Sequence, residues 1–427
     1  MSSSHKFVVF SALSLSLYIF HFPLRYISHL TKSKLISSKP PSTTKLPQAT
    51  PMGSLPSPPR SSTPSPSSPN NSLSSYRVCA TFCFREPAPN LNISNWIEFY
   101  DPSTNTWTYA SSIPGLTENH ILKGFAMVSL GDSVYIIGGR VCFKERAHTS
   151  DECSELVDVD IEVSSSVLRY NVGSDQWSTC APLGIPRSDF ACTVSENKIY
   201  VAGGKSTLAC ARGIPLAEVY DPELNEWTPL PNMSTLRYNC VGVTWLGKIY
   251  VVGGFAERAD SELPPIMVRS CAEVYDTQTR MWDLIVGMWQ LDVPPNQIVE
   301  VDGRLFSSGD CYKQWKGHIE SYDGKLNIWN EVEGSQIQSL NSLISALGTQ
   351  HDHNWALSQR RYLTMAPIGL NLYFLAGYGI YREFSRTMSI VHKFDISATS
   401  DAWTSMEPME EDGEKELCGH CCVVQLT

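Results

Sequence analysis

Residues 199–227 read IYVAGGKSTLACARGIPLAEVYDPELNEW, and the order of their parts decides the fold class. The opening run, Ile199 to Ala202, is short, apolar and rich in β-branched and aromatic side chains, so it suits a strand buried on both faces. Gly203 and Gly204 let the chain turn sharply and let neighbouring backbone approach closely. A second strand ends at Tyr220. The stretch from Asp221 to Asn225 is turn chemistry, with the aspartate able to accept backbone N–H groups. Trp227 then starts a further strand.

The same order of parts recurs along the chain. Apolar runs end in Gly138-Gly139 and in Gly253-Gly254, as in Gly203-Gly204. Tyr100 is followed by Trp107, Tyr170 by Trp177, Tyr220 by Trp227, Tyr275 by Trp282 and Tyr322 by Trp329, always seven residues on. A sixth copy, Phe394 with Trp403, is stretched to nine. Two glycine pairs have decayed, to Ser308-Gly309 and Ala376-Gly377. As a set, these features resemble the kelch repeat, whose unit of about 50 residues is a four-stranded propeller blade. The aromatic-to-aromatic intervals are 70, 50, 55, 47 and 72, so two repeats carry insertions.

The resemblance covers residues 76–427 and implies an all-β, six-bladed kelch-type β-propeller. A single strand-like run, Arg77 to Phe84, precedes the first aromatic pair, and a single one, Gly419 to Leu426, follows the last. The C-terminal strand is therefore expected to complete the N-terminal blade, which removes exposed edges.

Composition narrows the partners. The formal net charge is −10, and the first acidic residue is Glu86. Nine of the 33 basic residues precede it, so the remainder sets 24 bases against 43 acids, a net −19. An acidic body repels phosphate backbones, which argues against nucleic acid. Thirteen cysteines, scattered singly, read as buried reduced thiols rather than a disulfide framework, and favour the cytoplasm or nucleus.

Residues 1–75 read as a disordered or targeting segment. Its apolar run from Phe7 to Phe22 is short for a membrane span. It suits a signal-peptide core, yet no clear cleavage site follows. An organelle transit peptide and a true start at Met52 are the other readings; a genuine leader would make the protein organellar or membrane-anchored. The Ser/Pro-rich stretch 52–75 has too few apolar groups to offset chain ordering.

Candidate sites follow from the repeat. Arg187, Arg237 and Arg360 each stand twelve residues before the start of a glycine-ending run, and Lys123 is equivalent once a longer turn is allowed. Equal positions in successive blades ring one mouth of the channel. They offer a cationic rim for a partner's carboxylates, or they pair with local Asp and Glu between blades. Cys79, Cys83, Cys418, Cys421, Cys422 and His420 become neighbours on closure, but four residues along one strand span about 13 Å, too far for one tetrahedral zinc site. His351-Asp352-His353 reads as a solvated triplet. The insertions at 140–162 and 333–362 are the long loops on which recognition concentrates.

No metal site, cofactor site or catalytic residue is assigned. The Glu-x-x-x-Asp-x-x-x-His iron motif of nitrile-specifier proteins is absent, as are a phosphate loop and a nucleophile elbow. The wording of the turns (CAEVYD, NEWTPLPNM) is similar to that of plant F-box/kelch-repeat proteins, although no F-box stretch is recognisable. The expectation is a monomeric protein-binding adaptor with its partner on the loop face, in the manner of substrate recognition for ubiquitin-ligase complexes. A small-molecule or metal-assisted enzyme acting at the channel mouth is the alternative.

Overall fold

A computed structural model describes residues 75–85, 93–117, 119–146, 156–258, 269–291, 293–309, 319–332, 360–380, 386–400 and 402–426. All of them fall in one compact unit running from Pro66 to Thr427. The apolar run 7–22, the His351–His353 triplet and all of the 333–362 insertion before Arg360 lie outside the described residues.

The fold is all-β and antiparallel. Six sheets of four or five strands follow one another along the chain. Sheet I holds Tyr76–Phe84, Trp96–Asp101 and Thr106–Ser112. Sheet II holds Ala126–Leu130, Ser133–Ile137, Val167–Asn171 and Gln176–Thr179. Sheet III holds Ala191–Ser195, Lys198–Ala202, Ala217–Asp221 and Glu226–Leu230. Sheet IV holds Val241–Trp245, Lys248–Val252, Ala272–Asp276 and Met281–Ile285. Sheet V holds Ile298–Val301, Arg304–Ser307, Glu320–Asp323 and Ile328–Glu331. Sheet VI holds Arg360–Ile368, Asn371–Ile380, Arg386–Asp395, Trp403–Ser405 and Met409–Asp412. Sheet I gains two strands from the far end of the sequence. Lys415–Leu417 pairs with Tyr76–Phe84 from Phe82 to Phe84, and Cys422–Gln425 pairs with it from Tyr76 to Cys79.

Each sheet is pinned by the aromatic pair read from the sequence. Tyr100 faces Trp107 across the ladder, Tyr170 faces Trp177, Tyr220 faces Trp227, Tyr275 faces Trp282, Tyr322 faces Trp329 and Phe394 faces Trp403. Their ring centroids lie 4.9 to 5.3 Å apart, within the favourable range for aromatic pairs. The intervening turn places its fifth residue after the tyrosine at positive φ: Asn105, Asp175, Asn225, Arg280 and Asn327, at 50 to 58°. Asn and Asp tolerate that conformation. In four of these turns the residue also accepts the tyrosine hydroxyl's hydrogen bond. The aspartate at the turn's start accepts backbone N–H groups, as Asp221 does from Glu223 and Leu224.

The tryptophans also join sheet to sheet. The Trp227 indole donates to the Ala181 carbonyl, Trp282 to Pro231 and Trp329 to Met288, each on the chain leaving the preceding sheet. The glycine pairs sit at a second seam. Gly204 N–H donates to the Arg237 carbonyl, and Gly139 N–H to that of Arg187. A Cβ on Gly203, which has φ +72°, would stand 2.6 Å from the Arg237 carbonyl oxygen, so only glycine fits there.

The antiparallel order gives each sheet two unlike ends. One end carries only tight turns, such as Glu196-Asn197 and the Asp221–Asn225 turn. The other carries the glycine pairs and, among the described residues, the longer connections. There Arg140–Arg146 and Leu156–Val163 form a hairpin that joins His120–Lys123 in a three-stranded sheet, and Phe255–Arg258 pairs with Thr235–Tyr238. The described residues of the acidic 140–162 insertion, 140–146 and 156–162, are thus strand rather than irregular loop.

Sheet VI places His392 two residues before its aromatic, where sheets I, III and IV carry Glu98, Glu218 and Glu273. His392 is fully buried beside Ser405, and burial pushes its imidazole down to about 4. The unfolded chain therefore takes up a proton below about pH 6.5 that the folded chain refuses until about pH 4. Stability should fall as pH drops through that window and be unaffected by this group above it. At pH 5 the loss should be about 2 kcal/mol relative to His392→Gln, read from denaturation midpoints of both proteins at pH 7 and pH 5.

Candidate functional site

The first strands of sheets II to VI lie beside one another in chain order, and Cys422–Gln425 touches those of both sheet II and sheet VI. Between them lies a cavity of about 890 Å³ lined by a segment of each sheet. Asp189, Glu300, Arg360 and Arg361 are its charged members, with His420, Tyr362 and five cysteines among the others. Arg361 donates to Glu414 at 3.0 Å, and burial lowers the guanidinium of Arg360 from its ordinary value.

At the loop end of the cavity, Gly124, Asp189 and Asn239 occupy equivalent places with φ of 62, 55 and 55°. Backbone bonds link them in a row: Asp189 N–H donates to Gly124 O at 2.8 Å, and Asn239 N–H to Asp189 O at 2.6 Å. A groove of about 550 Å³ lies against this row. Lys205 crosses it with its ammonium 4.2 Å from the centre of the Tyr238 ring, and Tyr238 packs on Phe255 at 5.2 Å. Arg140 closes the other side, bound to Asp189 at 2.8 Å and to Asp160 at 3.0 Å. Leu208 remains about half exposed. Among the described residues no acid is ion-paired with Lys205, whose ammonium lies over the Tyr238 ring.

The four basic positions expected to form a rim do not act together. Arg187 and Arg237 have no exposed surface, so the rim reading is corrected for both. Arg187 donates from Nε and Nη2 to Glu218 at 3.2 and 2.6 Å, and from Nη1 to the carbonyls of Gly203 and Leu216 at 2.8 Å each. Burial lowers its guanidinium from its ordinary value, and Glu218 opposes that shift. Arg237 donates to the carbonyls of Gly253 and Cys271, with Glu273 3.8 Å away. Lys123 spans Asp158 and Glu416. Burial works against its charge, but the two carboxylates outweigh it and hold the ammonium above its ordinary value. Arg360 lines the cavity on sheet VI, away from the groove.

The cysteines gather where the C-terminal strands meet sheet I. Cys79 faces Cys422 in register, and Cys83, Cys418 and Cys421 are buried nearby. Burial raises the Cys79, Cys418 and Cys421 thiols, which keeps them protonated and inert. Among the described residues no group of three His, Cys, Asp or Glu side chains is arranged to hold a metal.

The groove residues were not legible in sequence. Lys205 directly follows a glycine pair and Tyr238 directly follows Arg237, so both stand beside the repeat's landmarks, but only the folded connections bring them together.

A kelch motif model matches residues 186–234. The chain is 30% identical over 199 residues to the F-box/kelch-repeat protein At1g16250 of Arabidopsis thaliana, covering 46% of each chain. It is 30% identical over 259 residues to the F-box/kelch-repeat protein OR23 of the same plant, covering 54% of this chain and 55% of that one. It is 28% identical over 191 residues to human Kelch-like protein 23, covering 44% of this chain and 28% of that one. The chain thus spans about half the length of the plant relatives it matches.

Proposed function

We propose, from the premise that this is a kelch-repeat protein, that it is a protein-binding adaptor whose residues 76–427 close into a six-bladed propeller. The pairing of both C-terminal strands with Tyr76–Phe84 supports the closure, as does the succession of six sheets around one cavity. The partner binds at the loop end, over the cavity mouth and the adjoining groove.

The observation that carries this reading is the half-buried Lys205–Tyr238–Phe255 group beside a polar row of backbone. An ammonium without an acid partner, next to stacked aromatics, suits a partner loop that presents a carboxylate and an apolar side chain. The opposite end has only tight turns and no comparable groove among the described residues. The relatives' names join the kelch repeat to an F-box, and substrate recognition for a ubiquitin ligase is the form of the role those names suggest.

Affinity capture of the tagged full-length protein tests the reading, with Lys205→Glu combined with Tyr238→Ala as the control. The expected result is a set of captured proteins reduced at least tenfold in the double variant, whose denaturation midpoint is unchanged. Equal capture by both proteins would contradict it.

A further inference from the structure

The three-stranded sheet of His120–Lys123, Arg140–Arg146 and Leu156–Val163 has two unlike faces. The inner face is fully used. Lys144 is buried and donates to the carbonyls of Phe84 and Arg85 and to Glu416, and Cys142 has no exposed surface. The outer face is bare. Along Leu156–Val163 the side chains alternate, and Val157, Val159 and Ile161 are 47, 45 and 46% exposed on one side. Asp158 and Asp160 point the other way, toward Lys123 and Arg140, and keep 32 and 46% of their side-chain surface exposed.

Leu156–Val163 is also the last strand of its sheet. It pairs with Arg140–Arg146 on one side, and no other described strand pairs with its second edge. Natural edge strands are guarded by lysine, proline, a bulge or a covering element. This one contains neither lysine nor proline, and its bulge is confined to Ile161, where Val141 pairs with Glu162 and Cys142 with Asp160, so Leu156–Asp160 stays regularly paired. It therefore offers backbone donors and acceptors flanked by three β-branched side chains.

We propose that the outer edge of Leu156–Val163 is a strand-addition site for an extended segment of a partner protein that alternates apolar and basic residues. Main-chain bonds to the edge supply affinity, and alternate side chains supply specificity. The apolar side chains lie over Val157 and Val159, and the basic ones lie beside Asp158 and Asp160. Charge selects this occupant. The chain beyond residue 85 carries a net −19, from 24 bases against 43 acids. A second copy of the strand would set Asp158, Asp160 and Glu162 against the same acids, and like charges facing across a ladder are destabilising. Asp160 and Val163 also line the groove, but the site uses neither Lys205 nor Tyr238 and does not depend on them.

The test uses the full-length chain and a fluorescein-labelled octapeptide of alternating valine and lysine, read by anisotropy. The expected result is saturable binding that protects amides of residues 157–162 from hydrogen exchange. Binding should weaken at least tenfold for Val157→Ser with Val159→Ser, two exposed changes that leave the denaturation midpoint in place. It should weaken as much when alternate peptide nitrogens are methylated or when the lysines are replaced by glutamates, and it should be unchanged in Lys205→Glu. No binding, equal binding of the methylated peptide, or equal binding by the serine variant would overturn the proposal. So would a dimer of the free chain that the serine changes abolish, because a second copy would then own the edge.

Discussion

Arg187→Ala should cost about 3–5 kcal/mol of stability, the range for leaving one partner of a buried ion pair alone. Its guanidinium has no exposed surface and satisfies four acceptor contacts at once: two to Glu218 and one each to the Gly203 and Leu216 carbonyls. Removing it strands a carboxylate that is only 6% exposed and leaves two carbonyls without their donor. Glu218 keeps one bond, from the Gly184 N–H, which cannot balance a buried charge. Arg187→Met combined with Glu218→Leu should therefore recover much of the loss, because no unpaired charge remains. Chemical denaturation of the three proteins checks both statements. A loss below about 1 kcal/mol in the single variant would mean that the pair is solvated, as exposed ion pairs are. Partner capture by the folded fraction should persist, since Arg187 does not reach the surface.

Truncation after Glu414 should abolish cooperative unfolding of the body. It removes Lys415–Leu417 and Cys422–Gln425, the two strands that pair with Tyr76–Phe84. The uncovered edge carries buried Val78, Ala80 and Phe82 and becomes a template for aggregation. Glu98 loses Lys415, which binds both of its oxygens at 2.7 and 2.9 Å. Sheet VI loses the Cys421 N–H bond to Thr364. These losses fall at one seam and so compound one another. The expected signature is a broad, probe-dependent transition and a large drop in soluble protein. A sharp transition at the full-length midpoint would show that the C-terminal strands are dispensable and would sink the closed ring.

The repeat was legible because its grammar is local. A strand ending in two glycines, an aspartate turn and a tryptophan seven residues after a tyrosine are each set by neighbours along the chain, so they survive translation from sequence to sheet. The basic positions were legible as a repeated set but not as to their direction. Arg187 and Arg237 sit near a mouth, yet their heads turn inward because Glu218 and Glu273 wait two residues before the tyrosines of the same sheets. That signal was present in the sequence. Sheet II has Leu168 at the matching place, and there the basic residue Lys123 binds Asp158 and Glu416 instead. Partners more than 30 residues apart cannot be assigned by spacing alone. The groove was out of reach for the same reason, since Lys205, Tyr238 and Phe255 come from three connections that only the strand pairing brings together.

In the proposed function a partner engages the loop end of the six sheets. Hydrogen exchange on the complex with a captured partner tests it most directly. The account predicts new protection concentrated at residues 188–189, 205–208 and 238–239, with the Asp101–Asn105 and Asp221–Asn225 turns unchanged. Protection confined to those turns, with the groove segments exchanging as in the free protein, would contradict it.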